Sequence, residues 1–234
     1  MTSGLLPEEQ LPQGELPPGS WPWLQGFTQW IGTWCFFVGY RLRVCHRERI
    51  PTAGPVVVVA NHSAMVDGPL LYGLLGRRSS FLVKQEMFRG PLGWILPRIG
   101  QLAVRRGEVD RAPLLTAVRL LRHGGVVVIF PEGTRGTGDV ADVQRGAAWL
   151  ARTGGARMLP VAIRGTRRPA GGKRRFRPSV DVLVGEPFAV PPGKGRVALT
   201  AATTEIRKRL AALVTELDSI RRLGRPGAAR PEGA

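Results

Sequence analysis

His62 and Asp67 stand five positions apart in the stretch Asn61-His-Ser-Ala-Met-Val-Asp67. Neutral imidazole accepts a proton from an alcohol near pH 7. A carboxylate on its second nitrogen fixes the tautomer and stabilises the imidazolium as it forms. The pair thus has the makings of a general base and its orienting partner. A plainer reading exists for the same residues: a histidine at a strand-to-helix turn can fill a polar pocket, and Asp67 before Gly68-Pro69 has the form of a helix N-cap. Both readings are open at the level of the sequence.

A second group of chemistry-bearing residues is Phe130-Pro-Glu-Gly-Thr-Arg135, which holds a carboxylate, a glycine, a hydroxyl and a guanidinium in one short stretch. Guanidinium forks bind phosphate oxygens two at a time, and a phosphate monoester carries about −1.5 to −2 charges. Read together, the two groups are a base and an anion clamp. The bland alternative for Glu132 and Arg135 is a local ion pair, worth about 0–1 kcal/mol. No Gly-x-Ser-x-Gly stretch is present, and neither Cys35 nor Cys45 has a catalytic setting, so a covalent acyl-enzyme has no support. The implied reaction is direct attack by a bound hydroxyl on an activated acyl donor such as a thioester. Two cysteines without a Cys-x-x-Cys spacing form neither a disulfide framework nor a zinc site. No metal or prosthetic group is expected, and a reducing cytoplasm is the simpler setting.

Both groups follow apolar runs, Val56 to Ala60 and Val126 to Ile129. A buried parallel strand ending in a polar turn delivers side chains to the carboxyl edge of a sheet, where α/β proteins bind ligands. From Pro55 onward, short β-branched runs alternate with helical windows. Strands are expected at Val56 to Ala60, Phe81 to Lys84, Leu102 to Val104, Val126 to Phe130, Met158 to Ile163 and Val180 to Val184. Helices are expected near Gly68 to Leu75, Pro113 to His123, Gln144 to Arg152 and Leu199 to Leu217. That order predicts an α/β fold with a mixed, largely parallel central sheet flanked by helices. Ile206, Leu210, Leu213 and Leu217 give the last helix an apolar stripe suited to core packing.

The N-terminal region differs. Met1 to Ser20 holds three glutamates, four prolines and no Lys or Arg, which reads as a disordered tail, not a signal peptide. Trp21 to Tyr40 is uncharged and about the length that can span a bilayer. Trp23, Phe27, Trp30, Trp34 and Val38 recur at helical spacing, opposite Gln25, Thr28, Gln29 and Gly32. Four tryptophans and a tyrosine, followed by Arg41, Arg43, Arg47 and Arg49, suit a helix in the headgroup zone of a cytoplasmic leaflet. A single span and a plain core helix are the alternatives. The resulting division is a tail over 1–20, a membrane-associating aromatic helix over 21–45, the catalytic domain over 46–218 and a flexible tail over 219–234.

Formal net charge is +17, from 34 Lys and Arg against 17 Asp and Glu, which calls for an anionic partner: nucleic acid, an acidic membrane surface or a phosphorylated substrate. Arginine dominates the excess, and the abundance of Ala, Gly, Pro and Val makes a GC-rich genome a sufficient cause, so bulk basicity is weak evidence of function. Arg164 to Arg177 carries seven basic residues but only Phe176 as an aromatic, a poor platform for stacking bases. No nucleic-acid partner is expected.

The Asn61-His62-x-x-x-x-Asp67 stretch followed by Phe130-Pro-Glu-Gly-Thr-Arg135 resembles the glycerolipid acyltransferase family, typified by 1-acyl-glycerol-3-phosphate acyltransferases. Two further stretches match family blocks in order: Gly100-Gln-Leu-Ala-Val-Arg-Arg106 and Leu159-Pro-Val-Ala-Ile163. The resemblance covers roughly Pro55 to Phe188. It implies that His62 deprotonates the acceptor hydroxyl and Asp67 orients it, that Arg106 and Arg135 hold the acceptor phosphate, that Gly133 and Thr134 shape the pocket and that Glu132 orders it. Asn61, Arg105 and Arg145 are further candidates. It also implies an acyl-CoA or acyl carrier protein co-substrate and a lysophospholipid acceptor, with phosphatidic acid as product, at the cytoplasmic face of the membrane. Three positions depart from the family pattern: Ala103 replaces an aromatic, Arg105 stands where aspartate is common, and Gly136 stands where serine is frequent. These touch the acceptor pocket, so glycerol-3-phosphate or a lyso-aminolipid is the rival acceptor. A non-catalytic basic membrane-binding protein is the rival outside the enzymes.

Overall fold

The valine run Val56–Ala60 is buried from end to end, and alternate side chains leave it toward opposite faces of the sheet. Val57 and Val59 pack with Leu121, Leu150 and Ile206 on one side. Val56, Val58 and Ala60 pack with Leu70, Leu71 and Phe81 on the other. A strand enclosed on both faces reads as continuous apolar sequence, which is why this segment shows no polar alternation.

The computed structural model describes residue 14 and residues 16–105, 111–130, 145–167, 176–191 and 195–223. In chain order the elements are α1 (Pro22–Gly39), β1 (Arg41–Cys45), β2 (Val56–Ala60), α2 (Asp67–Leu74), β3 (Ser79–Lys84), α3 (Gly90–Arg98), β4 (Leu102–Val104), α4 (Arg111–Arg122), β5 (Val126–Ile129), α5 (Arg145–Gly154), β6 (Arg157–Arg164), β7 (Ser179–Val184), β8 (Phe188–Ala189) and α6 (Gly195–Leu223). The sheet runs β1-β7-β6-β2-β5-β3-β4, with β8 paired to β6. β6, β2, β5, β3 and β4 are parallel to one another. β7 is antiparallel to β6, and β1 is parallel to β7. The mixed, largely parallel sheet expected from the sequence is the sheet the chain forms. Its consequence for function is that the ends of β2, β3, β4, β5 and β6 open onto one edge.

Besides the short β8, which was not expected, three elements differ from the sequence expectation. Residues 41–45, placed there with the membrane-associating segment, form β1, paired in register from Arg41↔Ser179 to Cys45↔Leu183. Arg-Leu-Arg-Val-Cys alternates at the strand period, and the Arg43 Nε donates to Asp181 Oδ1 at 2.7 Å. Arg49 likewise meets Glu186 at 2.8 Å. Two of the arginines attributed to a lipid surface therefore serve ion pairs within the domain. Helix α3 was not among the expected helices; its Pro91 sits in the first turn, where a missing N–H costs nothing, and Pro97 lies next to the end. Helix α6 runs beyond the expected 199–217 at both ends, and Ile220 in the C-terminal extension packs against the cluster that holds Leu210, Leu213 and Leu217.

Helix α1 lies on α2 with its polar side inward. The Gln25 amide donates to the carbonyls of Ser79 and Ile99, and the Gln29 amide to those of Tyr72 and Arg77. Thr33 donates to the Gly73 carbonyl, and the Tyr72 hydroxyl donates to the carbonyl of Gln25 at 3.0 Å. Burial pushes the Tyr72 phenol up to about 12, so it remains a neutral donor. Gly73 is required at this crossing: a Cβ there would come within 3.0 Å of the Thr33 backbone. Trp23, Phe27, Trp30, Trp34 and Val38 consequently face away from the domain and are exposed. No helix among the described residues is long and apolar enough to cross a membrane.

Candidate active site

The site begins where β2 ends. Register places Val59 opposite Ile129 of β5 and Pro160 of β6, so the residues just after Ala60 emerge between two flanking strand ends. Asn61, fully buried, bridges to β6 with both ends of its amide. Its Nδ2 donates to the Ile163 carbonyl at 2.9 Å, and its Oδ1 accepts the Ile163 N–H at 2.7 Å. The side chain thus continues the β2–β6 ladder one step past the backbone pairing, which fixes the point from which His62 leaves the sheet.

His62 Nδ1 lies 3.1 Å from Asp67 Oδ2. The same oxygen accepts the backbone N–H groups of Ser63 at 2.6 Å and Ala64 at 2.8 Å. This decides between the two readings of Asp67. The residue before it, Val66, occupies the N-cap position, and no side chain caps the helix there. The Asp67 carboxylate turns back toward the strand and holds the turn that carries His62. Burial pushes the Asp67 carboxyl up, but hydrogen bonds with His62 and the Ala64 and Ser63 N–H groups, together with the neighbouring Thr166 hydroxyl, outweigh it, leaving the group below the usual carboxylate range. Asp67 is therefore an anion at neutral pH. Donation of Nδ1–H to that anion leaves Nε2 as the basic nitrogen. His62 keeps 15% of its side chain exposed, while Asp67 has none, so only the imidazole is open to a reactant.

The opposite face of the imidazole is covered by Phe130, whose ring is stacked on it with centroids 4.3 Å apart and planes 26° from parallel. Phe130 in turn touches Phe81, and Phe81 touches Tyr72 beneath α1. Phe130 has a positioning role that the sequence reading overlooked. The signal was available in the pairing of Val59 with Ile129, which puts the residue after β5 beside the residues after β2, but register is not visible in a single chain.

Arg105 follows β4 on the same edge and is exposed, its Nε donating to Gln85 Oε1 at 2.9 Å. Lys84, the last residue of β3, shares that edge and pairs with Glu86 at 3.0 Å. Arg145 opens α5 and is exposed. Arg106, Glu132, Gly133, Thr134 and Arg135, expected to contact phosphate, lie outside the described residues, as does Gly136. Among the described residues no group of three or more His, Cys, Asp and Glu could hold a metal ion. What the described geometry can do is take a proton from a hydroxyl presented to Nε2 and return it to a leaving group.

Comparison with known proteins identifies the family. A family model described as Acyltransferase matches residues 41–164. The chain is 32% identical over 187 residues to the 1-acyl-sn-glycerol-3-phosphate acyltransferase of Bacillus subtilis (strain 168), covering 76% of this chain and 91% of that protein. It is 28% identical over 199 residues to the enzyme of the same name from Pseudomonas aeruginosa, covering 80% and 75%. The match to the human 1-acyl-sn-glycerol-3-phosphate acyltransferase beta is 31% over 172 residues, covering 71% of this chain and 60% of that one. Among solved structures, the 1-acyl-sn-glycerophosphate (LPA) acyltransferase PlsC from Thermotoga maritima superposes with a TM-score of 0.67 at 24% identity, over 87% of this chain and 81% of that one, a likeness of fold. With more than half its length matched by the family model and a histidine–aspartate pair at the sheet edge, the chain belongs to the acyltransferase family and is an O-acyltransferase.

Proposed function

We propose that the protein transfers a fatty acyl group from a thioester donor, acyl-CoA or acyl carrier protein, to the free hydroxyl of 1-acyl-sn-glycerol-3-phosphate, giving phosphatidic acid. The observation that carries the reaction is the His62–Asp67 contact, 3.1 Å, at the edge where parallel strands end. His62 Nε2 removes the acceptor hydroxyl proton as the oxygen attacks the thioester carbonyl. Asp67 offsets the charge on the imidazolium. Collapse of the tetrahedral intermediate breaks the carbon–sulfur bond, and the imidazolium returns its proton to the departing thiolate. Ester and thiol are the products, and no enzyme nucleophile is consumed.

Arg106 and Arg135 hold the acceptor phosphate in this reading, with Gly133 and Thr134 shaping its pocket and Glu132 ordering it. The names of the relatives support a phosphorylated glycerolipid acceptor. The enzyme works as a peripheral or monotopic protein at the cytoplasmic face. The outward aromatic side of α1 continues into Trp94 and Leu92 of α3, which are also exposed. Trp21 stacks on Trp23 and meets Trp94 edge-on, and the Arg98 guanidinium lies 5.1 Å from the Trp21 ring and 4.4 Å from the Trp94 ring. Indole rings beside a cation suit the boundary between acyl chains and phosphate headgroups.

The test is acyl transfer by the full chain and its His62→Ala variant, with palmitoyl-CoA and acyl carrier protein donors, against lysophosphatidate, glycerol-3-phosphate and a lyso-aminolipid. Turnover with lysophosphatidate is expected to fall about 10³–10⁴-fold in the variant, the scale of losing a positioned general base. Turnover with one of the other acceptors alone overturns the acceptor assignment, and undiminished activity in the variant overturns the mechanism.

A further inference from the structure

The buried side of the site contains two polar atoms that the mechanism above does not use. Asp67 Oδ2 accepts three hydrogen bonds, whereas Oδ1, equally shut off from solvent, has no partner within hydrogen-bond distance among the described residues. The Thr166 hydroxyl oxygen is in the same condition, enclosed and without a partner. The two groups are neighbours, close enough for the hydroxyl to help hold the carboxylate in its ionised form. An anion's second oxygen and a rotatable O–H, both cut off from water, have no better partner than each other, because leaving either unsatisfied in a dry site is costly.

The chain brings Thr166 there by specific means. The Asn61 amide locks Ile163 of β6 to the end of β2. Arg164 closes the strand with its guanidinium on both oxygens of Asp218, at 2.8 Å each. Gly165 then turns with φ +93° while its α-carbon passes against the Ser179 carbonyl so closely that a Cβ would collide with it. Only glycine fits both demands, and the turn leads directly into Thr166, whose hydroxyl oxygen is shut off from solvent.

We infer that Thr166 is a positioning residue of the acyl-transfer reaction: its hydroxyl donates to Asp67 Oδ1 and, by fixing the carboxylate at its second oxygen, holds Oδ2 on His62 Nδ1. Hydrogen bonds of this kind are commonly long in an unliganded enzyme and tighten when the reactants are bound. The inference rests on His62 acting as the base. The carboxylate is then oriented from two strand ends, the Ser63 and Ala64 amides after β2 and the Thr166 hydroxyl after β6. A change at Thr166 alters the chemical step and leaves substrate binding alone, since the hydroxyl oxygen is shut off from solvent.

The experiment compares Thr166→Val, Thr166→Ser and His62→Ala in the full chain, measuring kcat and KM with lysophosphatidate and palmitoyl-CoA together with the thermal midpoint. Thr166→Val is expected to lower kcat about tenfold, as suits one lost hydrogen bond to a charged group. KM should stay within about twofold of wild type, because the hydroxyl contributes nothing to ground-state binding. Thr166→Ser, which keeps the hydroxyl, is expected to restore most of kcat. Thr166→Ala, lacking any branch to disturb the turn, is the second probe if the valine protein does not fold. Wild-type kcat in Thr166→Val or Thr166→Ala beside an inactive His62→Ala overturns the inference alone. Equal losses in the serine and valine proteins with a lowered midpoint overturn it in favour of packing. An active His62→Ala protein overturns the reading of the base on which the inference rests.

Discussion

Helices α1 and α6 both lie against the domain along much of their length, and they are oriented in opposite senses. Helix α6 buries Ala202, Ile206, Leu210, Leu213 and Leu217 and leaves its charged side to water. Helix α1 buries Gln25, directs Thr28, Gln29 and Thr33 toward the carbonyls and hydroxyl of α2 and its flanks, and leaves its tryptophans outside. Water as the only solvent accounts for α6, because each buried leucine contributes by leaving water. It does not account for α1, whose outward side would gain from an apolar medium. The contrast sets a face that water alone accounts for beside one that the proposed membrane association would account for.

The largest effect that would sharpen this contrast is in the core. Leu210→Ala is expected to destabilise the protein by about 2–5 kcal/mol through the cavity it leaves, read as a lowered urea midpoint at unchanged slope. A change under 1 kcal/mol would mean that α6 is not anchored through its stripe. Next comes the inward polar side of α1. Gln25→Met strips the amide donor from the Ser79 and Ile99 carbonyls and should cost about 1–3 kcal/mol. An apolar residue that stabilised the protein at this position would break the comparison outright. The outward side should behave in the reverse manner. Trp30→Ser combined with Trp34→Ser removes rings that are 59% and 56% exposed. Stability should stay within about 0.5 kcal/mol, while partitioning onto phosphatidylglycerol-containing vesicles falls at least tenfold. Binding that survives the double change would remove the membrane role from α1.

The smallest effect concerns acid. The Asp67 carboxyl is held below the usual carboxylate range in the folded state. Its contribution to stability is complete above the unfolded carboxylate pKa, about 4, and is lost as pH falls through the lower folded value. The stability difference between wild type and Asp67→Asn, followed by urea denaturation, should therefore be constant from about pH 7 to 5 and shrink below about pH 4. A difference that does not change with pH would show that the ionised form is not favoured by folding.

Much of this was legible in the chain. The buried run Val56–Ala60, most of the order of strands and helices and the candidacy of His62 and Asp67 as a pair follow from period, composition and local spacing. The two faces of α1 were legible as well, because a helix sorts residues by angle. β1 escaped notice because its strand alternation continues directly from an aromatic helix and its arginines looked like lipid contacts. Phe130 was visible as part of a motif but not as the residue stacked on His62. Thr166 carried no signal at all, since its importance depends on a β6 end lying beside a β2 turn about one hundred residues earlier.

The sequence by itself determined which side chains could exchange a proton and which helical faces were apolar, because both depend on residue type and on spacing within a few turns of chain. Tertiary structure alone decided that the Asp67 carboxylate turns back to the His62 imidazole and does not cap a helix, that the polar side of α1 faces the protein, and that Phe130 stacks on His62. Those outcomes are set by strand order, register and burial, which bring distant segments together and determine which polar atoms are cut off from water.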